Sequence, residues 1–472
     1  MRYHVVTLGC AKNTVDSMRL DQALRHRRHH AVSDPTDAEL VLVNTCGFID
    51  AAKEESLSVI RELDGARPEG QRLFVIGCMT EIAEQEVLRA VPGVDATFGA
   101  EAWDEIAATV GHADARYDIP EPRPLIAPGT PSAYLKISDG CDRPCTFCII
   151  PTIKGAMHSA PRGRLLAEAT AYAAAGVSEL VLVAQDSTAY AEDRGERDGL
   201  AALLEELSAA VPTVPWIRLM YAYPGRVTPR LARTMAELPN VVPYVDIPLQ
   251  HGSEAVLRRM KRPGLRVARR SLEALRAEMP EVAIRTTFIV GFPGESDSEF
   301  EELLGFVEEQ RFDHVGAFLY SPQPGTPAAD RAEVLGGIPE PGLAKERYGR
   351  LMELAQEISL ARNRALMGRE LEVLVESARP VESAGADGPV VVGRTYRDAP
   401  EVDGLALLKG EFAPGELVRA RVEGALPYDL LLSPAGPPAA TETAGVPGRG
   451  RRGAGQRYRA RRGGRRSPRR GG

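Results

Sequence analysis

The residues in this chain of 472 best suited to chemistry are its six cysteines, and they fall into two sets. Cys141, Cys145 and Cys148 share one stretch, Cys141-Asp142-Arg143-Pro144-Cys145-Thr146-Phe147-Cys148. With three and then two residues between thiols, a single short loop can wrap three thiolates around an iron-sulfur cube. Three ligands for four irons leave one iron open to a substrate or cofactor. Structural zinc is a competing reading, but it takes four ligands, and the nearest further one in sequence is His158. Inert structural thiols are a third.

Cys10, Cys46 and Cys78 are far apart in sequence, yet each ends a strand-like run: Val5-Val6-Thr7-Leu8-Gly9-Cys10, Leu40-Val41-Leu42-Val43-Asn44-Thr45-Cys46 and Leu73-Phe74-Val75-Ile76-Gly77-Cys78. The intervals of 36 and 32 residues each suit one βαβ unit. Near-continuous apolar strands belong to a parallel sheet covered on both faces, whose strand C-termini share one ligand-binding edge. Three distant thiols are therefore expected to converge there. Within the first helix, Arg25 to His30 interrupts the apolar stripe and reads as a solvated or irregular helix end.

The elements that must position these thiols divide the chain into five parts, and the fold class is α/β. Residues 1–115 are expected to form a doubly wound parallel sheet, followed by a linker at 116–131 rich in Pro and Gly. Over 132–365, six apolar runs alternate with helical patterns: AYLKIS, SELVLVAQD, WIRLMY, VVPYVDIPLQ, AIRTTFIVGF and HVGAFLY. That alternation predicts a parallel sheet curved into a partial six-stranded βα barrel, with its site at the strand C-termini. Short runs broken by Gly and Pro over 366–434 predict a small antiparallel β-barrel. Residues 435–472 are low-complexity Arg and Gly and are expected to be disordered.

Charge separates the tail from the body. The tail holds eleven Arg and one acidic residue, Glu442, while the rest has 47 basic and 64 acidic side chains, a net of −17. Such a body argues against a protein that coats nucleic acid. No stretch nears the ~20 apolar residues of a membrane helix, and no export leader is visible at the N-terminus. A cytoplasmic location is the expectation, in which sparse thiols are metal ligands, catalytic groups or core rather than disulfides.

Cys-x3-Cys-x2-Cys with an aromatic before the last cysteine, at the first strand of a half-barrel, resembles the radical S-adenosylmethionine superfamily. In that family the methionine part of S-adenosylmethionine chelates the open iron, and an electron from the [4Fe-4S] cluster yields a 5′-deoxyadenosyl radical. With Cys10, Cys46 and Cys78 as a second trio, the chain resembles the methylthiotransferases, radical enzymes with two [4Fe-4S] clusters that insert sulfur and a methyl group into a C–H bond. The resemblance runs from residue 3 to about 433. It implies that all six cysteines are metal ligands, with Cys141, Cys145 and Cys148 catalytic. It also implies a cofactor pocket of Phe147, Gln185, Asp186, Gly291 and Glu295, with Gln250 and His251 facing the cavity. For each there is a structural alternative: core packing for Phe147, a helix cap for Asp186, a tight turn for Gly291.

Two branches of the family differ in substrate, an isopentenylated adenosine in transfer RNA or an aspartate of small-subunit ribosomal protein S-twelve. Residues 367–433 carry seven basic and twelve acidic residues, whereas a module gripping RNA should be basic. An acidic one suits a basic protein partner. Gly9-Cys10-Ala11-Lys12-Asn13, Ala222-Tyr223-Pro224 and the run Gly393 to Gly404 also resemble the ribosomal-protein, RimO-type branch. The resemblance then implies an electron donor such as flavodoxin or ferredoxin, a sulfur donor that it does not identify, and no membrane partner. For the tail, a solvated extension and a contact with ribosomal RNA both stay open. Met18 departs from the family pattern, in which Glu commonly follows Asp16-Ser17. A protein of another class, which keeps structural clusters and binds the ribosome without catalysis, is the remaining alternative.

Overall fold

The computed structural model describes residues 1–111, 129–377 and 388–436. Most of the expected linker and nearly all of the expected tail lie outside them.

The first sheet contains β1 (Arg2–Thr7), β2 (His30–Ala31), β3 (Leu40–Thr45), β4 (Arg72–Gly77) and β5 (Ala96–Phe98), all parallel, in the order β2-β1-β3-β4-β5. Every residue of β3 is buried, because helices cover both faces. Leu40 and Leu42 meet Leu20, Leu24 and Ile106 of helices Ala11–His26 and Trp103–Val110. Val41 and Val43 meet Ile60 and Val87 of helices Asp50–Ala66 and Cys78–Ala90. In a doubly wound sheet of this order, ligands bind where the order reverses, between β1 and β3. Cys10 and Cys46 follow those two strands.

The Arg25–His30 segment is the end of the first helix and the turn after it. Arg25 pairs with Asp21 at 2.9 Å, Arg27 donates to the carbonyl of Ala107 at 2.7 Å, and Arg28 turns the chain at φ +62°. Basic residues suit the negative end of a helix dipole. The break in the apolar stripe is thus a helix C-terminus docked on a neighbouring helix.

The second sheet has six parallel strands, one for each expected run. They are β6 (Ser132–Lys136), β9 (Glu179–Val183), β10 (Trp216–Leu219), β11 (Val241–Asp246), β12 (Ala283–Val290) and β13 (His314–Leu319), in the order β13-β12-β11-β10-β9-β6. β6 and β13 are its edges, so it curves into an open half-barrel with helices packed on its outer face. A ribbon of β7 (Ser138–Asp139) and β8 (His158–Ser159) frames the cysteine loop between them.

The last part is a closed barrel of β14 (Glu370–Ser377), β15 (Val390–Thr395), β16 (Ala406–Lys409), β17 (Leu417–Ala425) and β18 (Leu430–Pro434). It is antiparallel except where β16 pairs with β18 in parallel. Leu374 and Ala399 of this barrel pack with Val181, Trp216 and Tyr244 of the half-barrel. Arg394 and Arg218 both bind the fully buried Glu179, each at 2.6 Å. Burial alone would raise the Glu179 carboxyl, but Arg394 and Arg218 hold it down at about 2. Among the described residues no helix is long and apolar enough to cross a membrane.

Candidate active site where two cysteine trios meet

The sheet-edge trio is assembled by topology. Cys10 precedes helix Ala11–His26, and its carbonyl accepts from Asn13 N at 2.8 Å. The Asn13 side-chain amide donates to the carbonyls of Leu8, at 2.9 Å, and Thr45, at 3.0 Å, tying the end of β1 to the end of β3. Asn44 returns a bond to the Asn13 carbonyl at 3.0 Å. Gly9, at φ +92°, lies against Cys46: a side chain there would put its Cβ 2.7 Å from that of Cys46. Only glycine lets the two strand ends approach this closely. Burial pushes the Cys78 thiol up to about 12, with Lys154 opposing and Cys10, Cys46 and Asp16 adding to the rise. Cys78 Sγ lies 3.7 Å from Asn13 Oδ1, and Cys46 Sγ 3.1 Å from where a Cβ on Gly9 would stand, so both border the Gly9–Asn13 turn that carries Cys10.

The loop trio is assembled locally. Gly140 turns at φ +72°, where a Cβ would collide with the Ala156 carbonyl, and Cys141 N donates to Gly155 O at 3.1 Å. Cys148 N donates to Cys145 O at 3.3 Å, and Thr146 is held by Met260 O and Arg259 O at 3.1 and 2.9 Å. Burial raises the Cys148 thiol to about 12, against the pull of the Ile150 N–H and with Cys145 and Cys141 adding to it. Arg262 Nη1 donates to Cys145 Sγ at 3.6 Å.

All six cysteines are free thiols. His158, the nearest further zinc ligand in sequence, is exposed, and its Nδ1 lies 3.5 Å from Ala156 O. Two sets of three thiols in cradles closed by Gly9 and Gly140 suit thiolate-ligated clusters, whose binding would release thiol protons.

An ionic knot absent from the sequence reading joins the two cradles. Asp16, six residues after Cys10, accepts from Lys136 at 2.5 Å and from Lys154 at 3.1 Å. Lys136 also binds Asp139, two residues before Cys141. All four side chains are buried. Burial would raise the Asp139 carboxyl, yet Lys136 and Lys154 bring it well below the usual carboxylate range. The one signal in sequence was a charged residue, Lys136, inside the otherwise apolar run AYLKIS. A second tie crosses at β13, where Asp50 accepts from Ser321 Oγ at 2.8 Å and Lys53 donates to Gln323 at 2.6 Å. Met18 packs against the half-barrel core, which accounts for an apolar residue on that helix face.

The remaining expected residues are arranged around the loop trio. Phe147 packs with Met260 and Phe292. Gln185 Nε2 donates to Asp139 at 2.6 Å, and its buried Oε1 has no protein partner. Asp186 accepts from Arg143 Nε at 2.6 Å and caps the turn at Thr188 at 3.0 Å. Arg143 and Arg262 flank the ring of Tyr223, at 4.9 and 4.3 Å. Gly291 N donates to Glu295 Oε2 at 3.0 Å, while Arg347 holds the other carboxylate oxygen at 2.7 Å. His251 is fully buried, with Nε2 3.3 Å from Glu295 rather than turned to open solvent. Gln250 stands at φ +78°, its backbone bridging to β12.

Known proteins share this arrangement. Residues 2–99 match the uncharacterized protein family UPF0004, residues 135–307 the radical SAM superfamily and residues 367–432 the TRAM domain. A "Ribosomal protein uS12 methylthiotransferase RimO" from Chloroflexus aurantiacus is 44% identical over 465 residues, covering 91% of this chain and 99% of that protein. Its namesake in Moorella thermoacetica is 45% identical, covering 89% and 96%. Among solved structures, the radical S-adenosylmethionine methyltransferase TsrM from Kitasatospora setae aligns with a TM-score of 0.52 at 14% identity, over 82% of this chain and 81% of that one, a likeness of fold. On these alignments and the two cysteine trios, the chain belongs to the RimO family of radical S-adenosylmethionine methylthiotransferases.

Proposed function

We propose that this protein inserts a methylthio group at the β-carbon of an aspartate in small-subunit ribosomal protein S-twelve. The observation that carries the reading is the meeting of two thiol trios across one ionic knot. Cys141, Cys145 and Cys148 would ligate one [4Fe-4S] cluster, and Cys10, Cys46 and Cys78 the other. When bound, the first supplies an electron to S-adenosylmethionine for C–H abstraction and the second supplies sulfur.

The chain's own side chains organise that chemistry. The unpartnered Oε1 of Gln185 would accept from the amino group of S-adenosylmethionine, with Asp139 fixing the amide. Asp186 orients Arg143, and Arg262 lends positive charge to the Cys145 thiolate. Phe147 wedges the loop against Met260 and Phe292. Gly291 and Glu295, anchored by Arg347, would form the backbone rim that holds the adenine of S-adenosylmethionine.

The C-terminal barrel favours a protein over an RNA partner. Arg394 and Arg397 turn inward to Glu179 and Asp313, and Arg369, Lys409, Arg419 and Arg421 each pair with a glutamate. Unpaired cations for phosphate are thus missing from its described residues, and phosphate contacts dominate RNA affinity. A basic ribosomal protein suits this face. The working setting is the cytoplasm, with a flavodoxin- or ferredoxin-like electron donor. Mass spectrometry of ribosomal proteins and transfer RNA from a deletion strain tests the reading. Loss of one methylthio group from the ribosomal protein supports it, and loss from the RNA instead overturns it.

A further inference from the structure

Most cations around the meeting of the two trios are engaged. Arg143 pairs with Asp186 and Glu192, Lys154 with Asp16, and Arg285 with Asp246 and Asp403. Arg262 is spent on the Pro248 carbonyl and Cys145. Lys12 has no carboxylate within 4 Å among the described residues. Its ammonium instead lies 3.6 Å from the centroid of the Tyr221 ring.

That position is unusual in three ways. Lys12 is half-buried in the first turn of helix Ala11–His26, where the helix dipole disfavours a cation. It leaves the sheet-edge trio, two residues from Cys10, and reaches Tyr221 beyond the end of β10. Its partner Tyr221 is held at φ +60°, with its N–H on Asp246 Oδ2 at 3.3 Å and its carbonyl accepting from Ser187 N at 3.0 Å. Backbone strain in a non-glycine residue persists where the surroundings enforce it, as at ligand sites. The Tyr221 side chain attracts the cation but cannot take all three of its N–H donors.

Resting on the reading above, we propose that Lys12 Nζ binds the side-chain carboxylate of the substrate aspartate, with the Tyr221 ring as its platform. A carboxylate there would supply the close counter-ion that Lys12 lacks, Asp246 acting on it only from beyond 4 Å, and would set the neighbouring β-carbon between the two trios. The ion pair forms with aspartate, whereas asparagine offers the ammonium only a neutral and weaker acceptor. Lys12 is then the residue that specifies an acidic side chain.

The test uses the full chain with both clusters reconstituted and a peptide of the ribosomal protein carrying either Asp or Asn at the modified position. Binding is read by fluorescence anisotropy and turnover by mass spectrometry. Wild type should prefer the Asp peptide by about 10–100-fold, the size of one charge-assisted hydrogen bond. Lys12→Met should abolish the preference by weakening the Asp peptide alone, and Lys12→Arg should restore part of it. Equal loss of both peptides in Lys12→Met, or a preference that survives it, overturns the assignment while leaving the proposed function intact. The wild-type comparison needs no variant to fold, and equal binding of the two peptides also overturns the assignment. Wild type that leaves the peptide unmodified but modifies transfer RNA overturns the functional reading, and the Lys12 assignment with it.

Discussion

The two cysteine trios are built in opposite ways. Cys141, Cys145 and Cys148 come from one loop whose shape is set by neighbours such as Gly140 and Thr146. Cys10, Cys46 and Cys78 span 68 positions and meet only because β1, β3 and β4 are parallel neighbours. The loop trio draws its three thiols from one short segment, which the half-barrel then fixes at Thr146, whereas the sheet-edge trio draws each thiol from a different strand end. The difference assigns them different vulnerabilities, and several changes would break or sharpen it.

The largest effect should come from the thiols themselves. Cys148→Ala should abolish 5′-deoxyadenosine formation, by more than about a thousandfold, because the electron source loses its ligand. Cys78→Ala should keep that cleavage and lose methylthiolated product. Chromatography of the nucleoside and mass spectrometry of the peptide check both, and equal loss of cleavage in the two variants would erase the division of labour.

Next is the knot that couples the cradles. Asp16→Ala removes the carboxylate that Lys136 and Lys154 share, leaving Asp139 to balance two buried ammonium groups. Breaking a buried pair costs about 3–5 kcal/mol. Denaturant unfolding should show a loss of that order, and a change under about 1 kcal/mol would mean that the two halves are stabilised independently.

A smaller effect concerns the scaffold of the loop trio. Glu179 titrates at about 2 in the folded chain, against about 4.3 unfolded. Its folded value is depressed, so its contribution to stability is complete above the unfolded value and is lost as pH falls through about 2. Thermal unfolding of the metal-free chain should therefore show Tm falling more steeply between about pH 4.3 and 2 for wild type than for Glu179→Gln. Parallel slopes would remove Glu179 from the seam.

Much of this was legible in the sequence because buried parallel strands are almost purely apolar. The runs ending at Cys46 and Cys78, and all six runs of the half-barrel, became strands. Contacts between side chains remote in sequence were not legible. Asp16 and Lys136 are 120 residues apart, and nothing local marks them as partners. Glu295 sits in a run that resembles a cofactor contact, yet its carboxylate is engaged by Arg347, His251 and Gly291 N. The charge count of the last barrel was readable, but the inward turn of Arg394 and Arg397 was not.

The most direct test counts clusters. Iron analysis with Mössbauer spectroscopy on the anaerobically reconstituted full chain should give about eight irons as two [4Fe-4S] clusters, and about four when Cys10, Cys46 and Cys78 are all replaced by Ala. A wild-type chain with a single cluster, or a triple variant that loses no iron, would contradict the account.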